Sequence, residues 1–103
     1  MTGRAPLRLT RRHLEALSAF ARAYLHEDAV AEYGGAIGAA KAFAADATDE
    51  DRHRVSAALD ALAAATHGHS IEALHRFLSR QIRCAWPPER VEELTSLARV
   101  IRG

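Results

Sequence analysis

The chain has 103 residues and a formal net charge of +1, with three prolines and one cysteine. This length supports one domain with a single core, and the near-zero charge favours neither a nucleic acid nor a membrane surface as a partner. The single cysteine excludes an internal disulfide, and no segment approaches the roughly 20 apolar residues of a membrane-spanning helix. The arginines near the N-terminus have no apolar run behind them. We therefore expect a cytoplasmic protein.

Alanine and leucine dominate the sequence, and apolar side chains recur at the spacing of amphipathic helices. This pattern predicts an all-α fold, a compact single-domain bundle of four or five helices over residues 10–103, after a flexible lead-in over residues 1–9. The predicted helices cover about residues 11–26, 36–45, 48–66, 70–83 and 88–101.

Local signals mark several helix ends. Thr10, Thr48 and Ser70 each precede a helical pattern and are typical N-cap residues. Gly68 follows the third helix and favours a left-handed stop. Leu62 lies on the apolar face of that third helix, so we expect it in the core.

Charge is unevenly distributed along the chain. Residues 1–25 have a net charge of +4, and residues 52–103 have a net charge of +3. Residues 26–51 contain seven carboxylates and one lysine, which gives −6. An acidic middle between two basic ends is the main electrostatic feature of the sequence.

The first two predicted helices are joined by residues 24–35, which we call the elbow. The elbow contains two tyrosines, one histidine, three carboxylates and the pair Gly34-Gly35. Tyrosine suits a half-buried position because its ring is apolar and its hydroxyl is polar. Carboxylates are costly to bury unpaired, so we expect most of them to face water or a partner. The two glycines allow the positive φ angles that a tight turn requires.

The elbow pattern Tyr24-x-His26-x-Asp28-x-x-x-Glu32-Tyr33-Gly34 resembles that of small immunity proteins of contact-dependent growth inhibition systems. The resemblance covers about residues 14–101 and continues in Ala42-Phe43-Ala44, Thr48-Asp49-Glu50-Asp51, Leu59-Asp60-x-Leu62 and Cys84-Ala85-Trp86-Pro87-Pro88. It implies a protein that binds a cognate toxin domain and neutralises it by occlusion, without catalysis. Many such toxins act on nucleic acids, so a basic nuclease is one candidate partner.

We predict that the elbow forms part of the surface that meets this partner. The candidate partner-binding residues are Tyr24, Glu27, Asp28, Glu32 and Tyr33. Tyrosine beside carboxylates is a composition favoured at interfaces. Two alternatives stay open: Asp28 caps a turn, or Tyr33 seals the core.

The main alternative function uses arginines of the fourth predicted helix. Arg76, Arg80 and Arg83 are spaced i, i+4 and i+7, and such a basic ridge suits a small adaptor or regulatory domain that binds nucleic acid. A solvated arginine face is the commoner explanation, because the domain has no basic excess. We therefore do not expect a nucleic acid partner. Whether the chain forms a homodimer stays open.

Other polar clusters are weaker signals. His67, His69, His75 and Cys84 are residue types that bind zinc, but their spacing matches no zinc pattern. His26 with Asp28 and Glu32 lacks an accompanying nucleophile or phosphate-binding loop. The sequence thus predicts no metal, no cofactor and no enzymatic activity. Cys84 has apolar neighbours, so we expect a buried thiol.

Overall fold

The structure, a computed structural model, describes residues 7–26, 28–84 and 86–103, except for the side chains of residues 29 and 30. Over these residues the chain forms six α-helices and no strand, so the all-α prediction is confirmed. The helices are α1 (Arg11–Tyr24), α2 (Ala29–Tyr33), α3 (Ala36–Asp46), α4 (Asp49–Thr66), α5 (Ile71–Phe77) and α6 (Glu92–Arg102). A π-helical segment, Leu78–Ile82, continues directly from α5.

The three predicted N-caps are confirmed. The side-chain oxygens of Thr10, Thr48 and Ser70 each accept a hydrogen bond from the backbone N–H three residues later, at 3.3, 3.1 and 3.1 Å. Each bond satisfies one of the amide groups that a helix start leaves without a partner. Gly68 has φ 83°, as expected for a left-handed helix stop.

Two helix boundaries differ from the prediction. The first helix ends at Tyr24, because Leu25 leaves the helical region with φ −115° and ψ 33°. The last helix begins at Glu92, although the prolines suggested a start near Pro88. There the carboxylate of Glu93 accepts hydrogen bonds from the backbone N–H groups of Glu89 and Arg90, which holds the preceding residues in a turn instead.

The core lies between α6 and the two longest helices. α6 packs most extensively on α4, and α1 packs on the same helix. Leu62 of α4 and Leu94 and Ile101 of α6 have no exposed surface. α3 also packs on α6, and its Ala39 and Ala40 are completely buried. Because alanine side chains are short, the backbone of α3 lies close to its neighbours.

Two residues before α1 contact the core: Leu7 and Leu9 are partly buried and pack against it. The flexible lead-in over residues 1–9 stays a prediction. Residues 1–6 lie outside the described part of the chain. None of the helices in the described ranges is long and apolar enough to cross a lipid bilayer.

Cys84 is buried, as predicted, where the chain turns after the π segment. Its Sγ is 4.0 Å from the carbonyl oxygen of Leu25 and 3.9 Å from that of Trp86. Burial raises the pKa of the Cys84 thiol, and a smaller contribution from a hydrogen bond with the Trp86 backbone lowers it. Trp86 is half-buried against the core.

Two substitutions in α4 test this architecture. Thr48→Ala removes an N-cap and should lower the free energy of unfolding by about 1 kcal/mol. Leu62→Ala leaves a cavity at a completely buried position and should cost about 2–5 kcal/mol. Urea denaturation measures both. Thr95→Ala is the control, because the Thr95 hydroxyl donates to the Glu92 carbonyl within α6 and caps no helix. Equal stability of all three variants and the parent would contradict the fold.

Candidate functional site

Four aromatic rings join the elbow to the helices on either side of it. Phe43 of α3 meets Phe20 and Tyr24 of α1 edge-on, with ring centroids 5.1 and 5.4 Å apart. Tyr24 also lies 5.7 Å from Tyr33 of α2 and 5.9 Å from Phe20. Edge-to-face and offset contacts at these distances stabilise beyond simple burial. We call these four residues the aromatic cluster; it holds α1, α2 and α3 together.

Tyr24 is both a member of this cluster and a surface polar group. Its hydroxyl donates a hydrogen bond to Oδ2 of Asp46, at the end of α3, at 3.3 Å. Burial raises the pKa of Tyr24, and the negative charge of Asp46 and its hydrogen bond raise it further. The neutral phenol is therefore the form that this arrangement favours.

His26 contacts two other residues of the elbow through its two ring nitrogens. The backbone N–H of Asp28 donates to Nδ1 of His26 at 3.2 Å, and Nε2 lies 3.5 Å from a carboxylate oxygen of Glu32. Because Nδ1 accepts a hydrogen bond, the ring proton is on Nε2, towards Glu32. The imidazole thus links the end of α1 to α2.

Three glycines determine the backbone conformation at the end of the elbow and in the first part of α3. Gly34 and Gly35 have φ 81° and 121°, which confirms the predicted positive angles. Gly38 has a different role, because a Cβ atom at this position would overlap the carbonyl oxygen of Tyr33. Only a residue without a side chain allows α2 to end so close to α3.

The structure brings together four of the five predicted site residues. Tyr24 and Tyr33 are half-buried, and Asp28 and Glu32 are exposed around them. Glu27 lies outside the described residues. Tyr33 also packs against the core, so it has the sealing role that was left open as an alternative. The sequence predicts a connection without helix here, whereas the structure has the short helix α2 within the elbow.

Ile37 was not predicted as a site residue. The residue is 42% exposed, and it is the only large apolar residue among the described residues that is exposed. It follows Gly35 by two residues, so it lies in the first turn of α3, beside the elbow. The available signal was an isolated bulky residue in an alanine-rich helix. That signal was weak because an isoleucine in a helix usually faces the core.

A surface groove extends from the aromatic cluster along α1 and α4. It has a volume of about 880 Å³, and Tyr24, Phe20 and Phe43 form part of its wall. Arg12 and Arg54 line it together with acidic residues. One side of the cluster is therefore reachable from solvent.

The arginine ridge is not the regular helical stripe that its spacing suggested. Arg76 and Arg80 are exposed, but the helix changes from α to π geometry at Leu78. Arg83 follows the π segment in a left-handed conformation, outside the helix. The three arginines therefore do not continue one helical face, and the register on which the nucleic acid alternative depended is absent.

The histidines and Cys84 do not come together. Within the described ranges, no three His, Cys, Asp or Glu side chains are placed to hold a metal ion. Nε2 of His75 is 2.6 Å from the carbonyl oxygen of Pro88, which ties α5 to the turn before α6. His67 is exposed.

Comparisons with protein-family models, with curated proteins and with solved structures find no match to this chain. The resemblance of the elbow pattern to immunity proteins therefore stays a prediction. A function has to be inferred from the geometry of the elbow and its surroundings.

Gly38→Ala tests the close contact between α2 and α3. In an open helix this change would stabilise by up to about 1 kcal/mol, because alanine is the better helix former. Here the added methyl group meets the Tyr33 backbone, so we expect a loss of about 1–3 kcal/mol, typical of overpacking. Thermal denaturation decides the sign. A variant that melts above the parent would show that Tyr33 does not constrain this position.

Asp46→Asn tests the electrostatic environment of Tyr24. Removing the charge should lower the pKa of Tyr24 towards 10.0, while burial still holds it above that value. A spectrophotometric titration at alkaline pH, in a Tyr33→Phe background, observes Tyr24 alone.

The same contact affects stability. Because the pKa of Tyr24 is higher in the folded than in the unfolded chain, its contribution to stability is present below the unfolded-state pKa and is lost as the pH rises through the folded-state pKa. The parent should therefore lose more stability than Asp46→Asn above about pH 10. An unchanged titration would contradict the Tyr24–Asp46 contact.

Proposed function

We propose that this chain is an immunity-type binding protein that neutralises a toxin domain by occluding it, and that the elbow is part of the contact surface. The proposal places the protein in the cytoplasm of the cell that it protects. No covalent step is required, because covering the active site of the toxin, or a surface that it needs, is sufficient.

The composition of the elbow surface is the observation that supports this proposal best. Half-buried Tyr24 and Tyr33 lie among exposed carboxylates, and Ile37 adds an exposed apolar side chain. Interfaces are enriched in aromatic residues at their centre and have a polar rim. Residues that dominate binding are often aromatic anchors surrounded by groups that exclude water. The elbow has both parts.

Several described side chains of the elbow are held by contacts with one another. The aromatic cluster holds Tyr24 and Tyr33, and His26 contacts both Asp28 and Glu32. Side chains that are already held lose less conformational entropy on binding. A preorganised surface of this kind suits tight association with one partner.

The charge of the elbow favours a basic partner. Residues 26–51 have a net charge of −6, and Asp28, Glu32 and Asp46 of this segment are exposed. Complementary charge accelerates association and excludes unsuitable partners. A nuclease domain with a basic active-site cleft is the kind of toxin that this surface fits. Occlusion of that cleft requires one copy of the chain, so a homodimer is not needed.

A charge-neutral elbow tests the proposal. The variant Glu27→Gln, Asp28→Asn, Glu32→Gln keeps the side-chain shapes and removes three charges. The partner for this test is the protein encoded by the gene immediately upstream, as the candidate toxin. The variant should associate with it more slowly, and the rate should depend less on salt concentration. Stopped-flow binding at several salt concentrations measures both effects. Protection of cells that express the toxin should fall in parallel.

The matched control is Glu72→Gln, Glu89→Gln, Glu92→Gln, which likewise removes three exposed carboxylates, all of them outside the elbow. It should associate almost as fast as the parent. Circular dichroism must show that both variants are folded. If the elbow variant keeps its affinity, association rate and protection, the contact surface is elsewhere on the chain. If the upstream-encoded domain does not bind the parent, the immunity function itself is wrong.

A further inference from the structure

A second concave surface lies on the other side of His26, between α1 and the π segment. It is a pocket of about 520 Å³. Polar side chains line most of it: Ser18, Arg22, His26, Gln81 and Arg83. Ala21 and Ile82 complete its wall. Neither the fold nor the proposed toxin contact accounts for this concentration of donors.

The backbone at Arg83 is unusual. Its φ of 59° and ψ of 42° are left-handed, and it is the only non-glycine residue of the described ranges with positive φ. The N–H groups of Arg83 and Cys84 both donate to the carbonyl oxygen of Leu78. These bonds reach back five and six residues, further than the bonds of an α-helix. At a helix end, glycine normally occupies the left-handed position. Arginine is strained here, and strain of this kind is concentrated at functional sites.

The π-helical geometry of the preceding segment is a second unusual feature of the backbone beside the pocket. Each turn of a π-helix contains an additional residue, which changes the direction of the side chains that follow. The segment Leu78–Ile82 has this π geometry. Gln81 and Arg83 line the pocket, whereas Arg76 and Arg80 do not. Short π segments recur at functional sites for this reason.

Arg22 and Arg83 bring two positive charges to the wall of the pocket. None of the described residues that line it is acidic. The ion pairs among the described residues involve His26, Arg52, Arg54 and Arg102, and they include neither Arg22 nor Arg83. Both nitrogens of His26 are already directed to Asp28 and Glu32 in the elbow. The positive charge therefore comes from the two guanidinium groups.

We propose that this pocket binds the phosphoryl group of a small phosphorylated compound. Guanidinium groups present N–H donors in a planar fork that matches phosphate oxygens. The Ser18 hydroxyl and the Gln81 amide supply neutral donors beside them. The volume lies within the range of about 300–1,000 Å³ that small-molecule sites occupy. The site is distinct from the toxin contact, since both of its arginines lie outside the elbow.

Titration calorimetry with pyrophosphate and with inorganic phosphate, at constant ionic strength set by sodium chloride, tests this proposal. We expect one saturable site, with pyrophosphate bound more tightly because it offers more oxygens to the two arginines. Arg22→Gln and Arg83→Gly should each weaken pyrophosphate binding by about tenfold or more, the usual effect of losing a charge-assisted contact. Arg80→Gln removes an equal charge from an exposed neighbouring position outside the pocket lining, and should change binding by less than about twofold.

Arg83→Gly separates binding from folding. Glycine relieves the left-handed strain, so this variant should melt at or above the temperature of the parent while it loses pyrophosphate. The absence of saturable binding to the parent would overturn the proposal. So would retained binding by Arg83→Gly, or an equal loss in Arg80→Gln, which would indicate attraction by diffuse charge. Toxin binding by the parent is unaffected by any of these outcomes, so failure here leaves the proposed function intact.

Discussion

The close contact between the end of α2 and α3 is the constraint on which the surface of this protein depends. Gly38 permits the contact, because any side chain at its position would overlap the Tyr33 carbonyl. With α2 held there, the Tyr33 ring reaches Tyr24, and Tyr24 reaches Phe43 and Asp46. These contacts join the described side chains of the elbow to α1 and α3. The candidate binding groups are therefore positioned by backbone sterics first and by aromatic contacts second.

His26 lies between two surfaces of opposite charge. On one side it holds Asp28 and Glu32 of the acidic elbow, and on the other it forms part of the wall of the pocket that contains Arg22 and Arg83. In a chain with a net charge of +1, such separation concentrates potential locally without adding overall charge. The acidic elbow and the two arginines of the pocket are thus neighbouring surfaces of unlike charge.

The end of the π segment shows how a local departure from regular geometry redirects a side chain. A continuous α-helix would have placed Arg83 in line with Arg76 and Arg80, in a solvated ridge. The π turn and the left-handed angle at Arg83 move that side chain to the pocket instead. The backbone strain is tolerated because the surrounding contacts are extensive: Leu78 and Ile82 are buried, and the Cys84 thiol packs against the elbow at Leu25.

The sequence by itself determined the features that depend on near neighbours. Thr10, Thr48 and Ser70 cap helices through bonds to the third residue along, and Gly34, Gly35 and Gly68 take left-handed angles that other residues avoid. The leucine spacing likewise located Leu62 in the core, since periodicity is a property of the helix itself. The gathering of Tyr24, Asp28, Glu32 and Tyr33 was predicted because these residues lie within one short segment.

Only the tertiary structure decided what depends on contacts between distant segments. The α2 helix has five residues, too few to be stable alone, so it exists because α3 supports it. Three features depend on how the helices pack. Ile37 is exposed, the ring of Phe43 contacts that of Tyr24, 19 residues earlier, and Arg22 and Arg83 line the same pocket. Sequence pattern and helix propensity describe one element at a time, whereas these features arise from contacts between two elements.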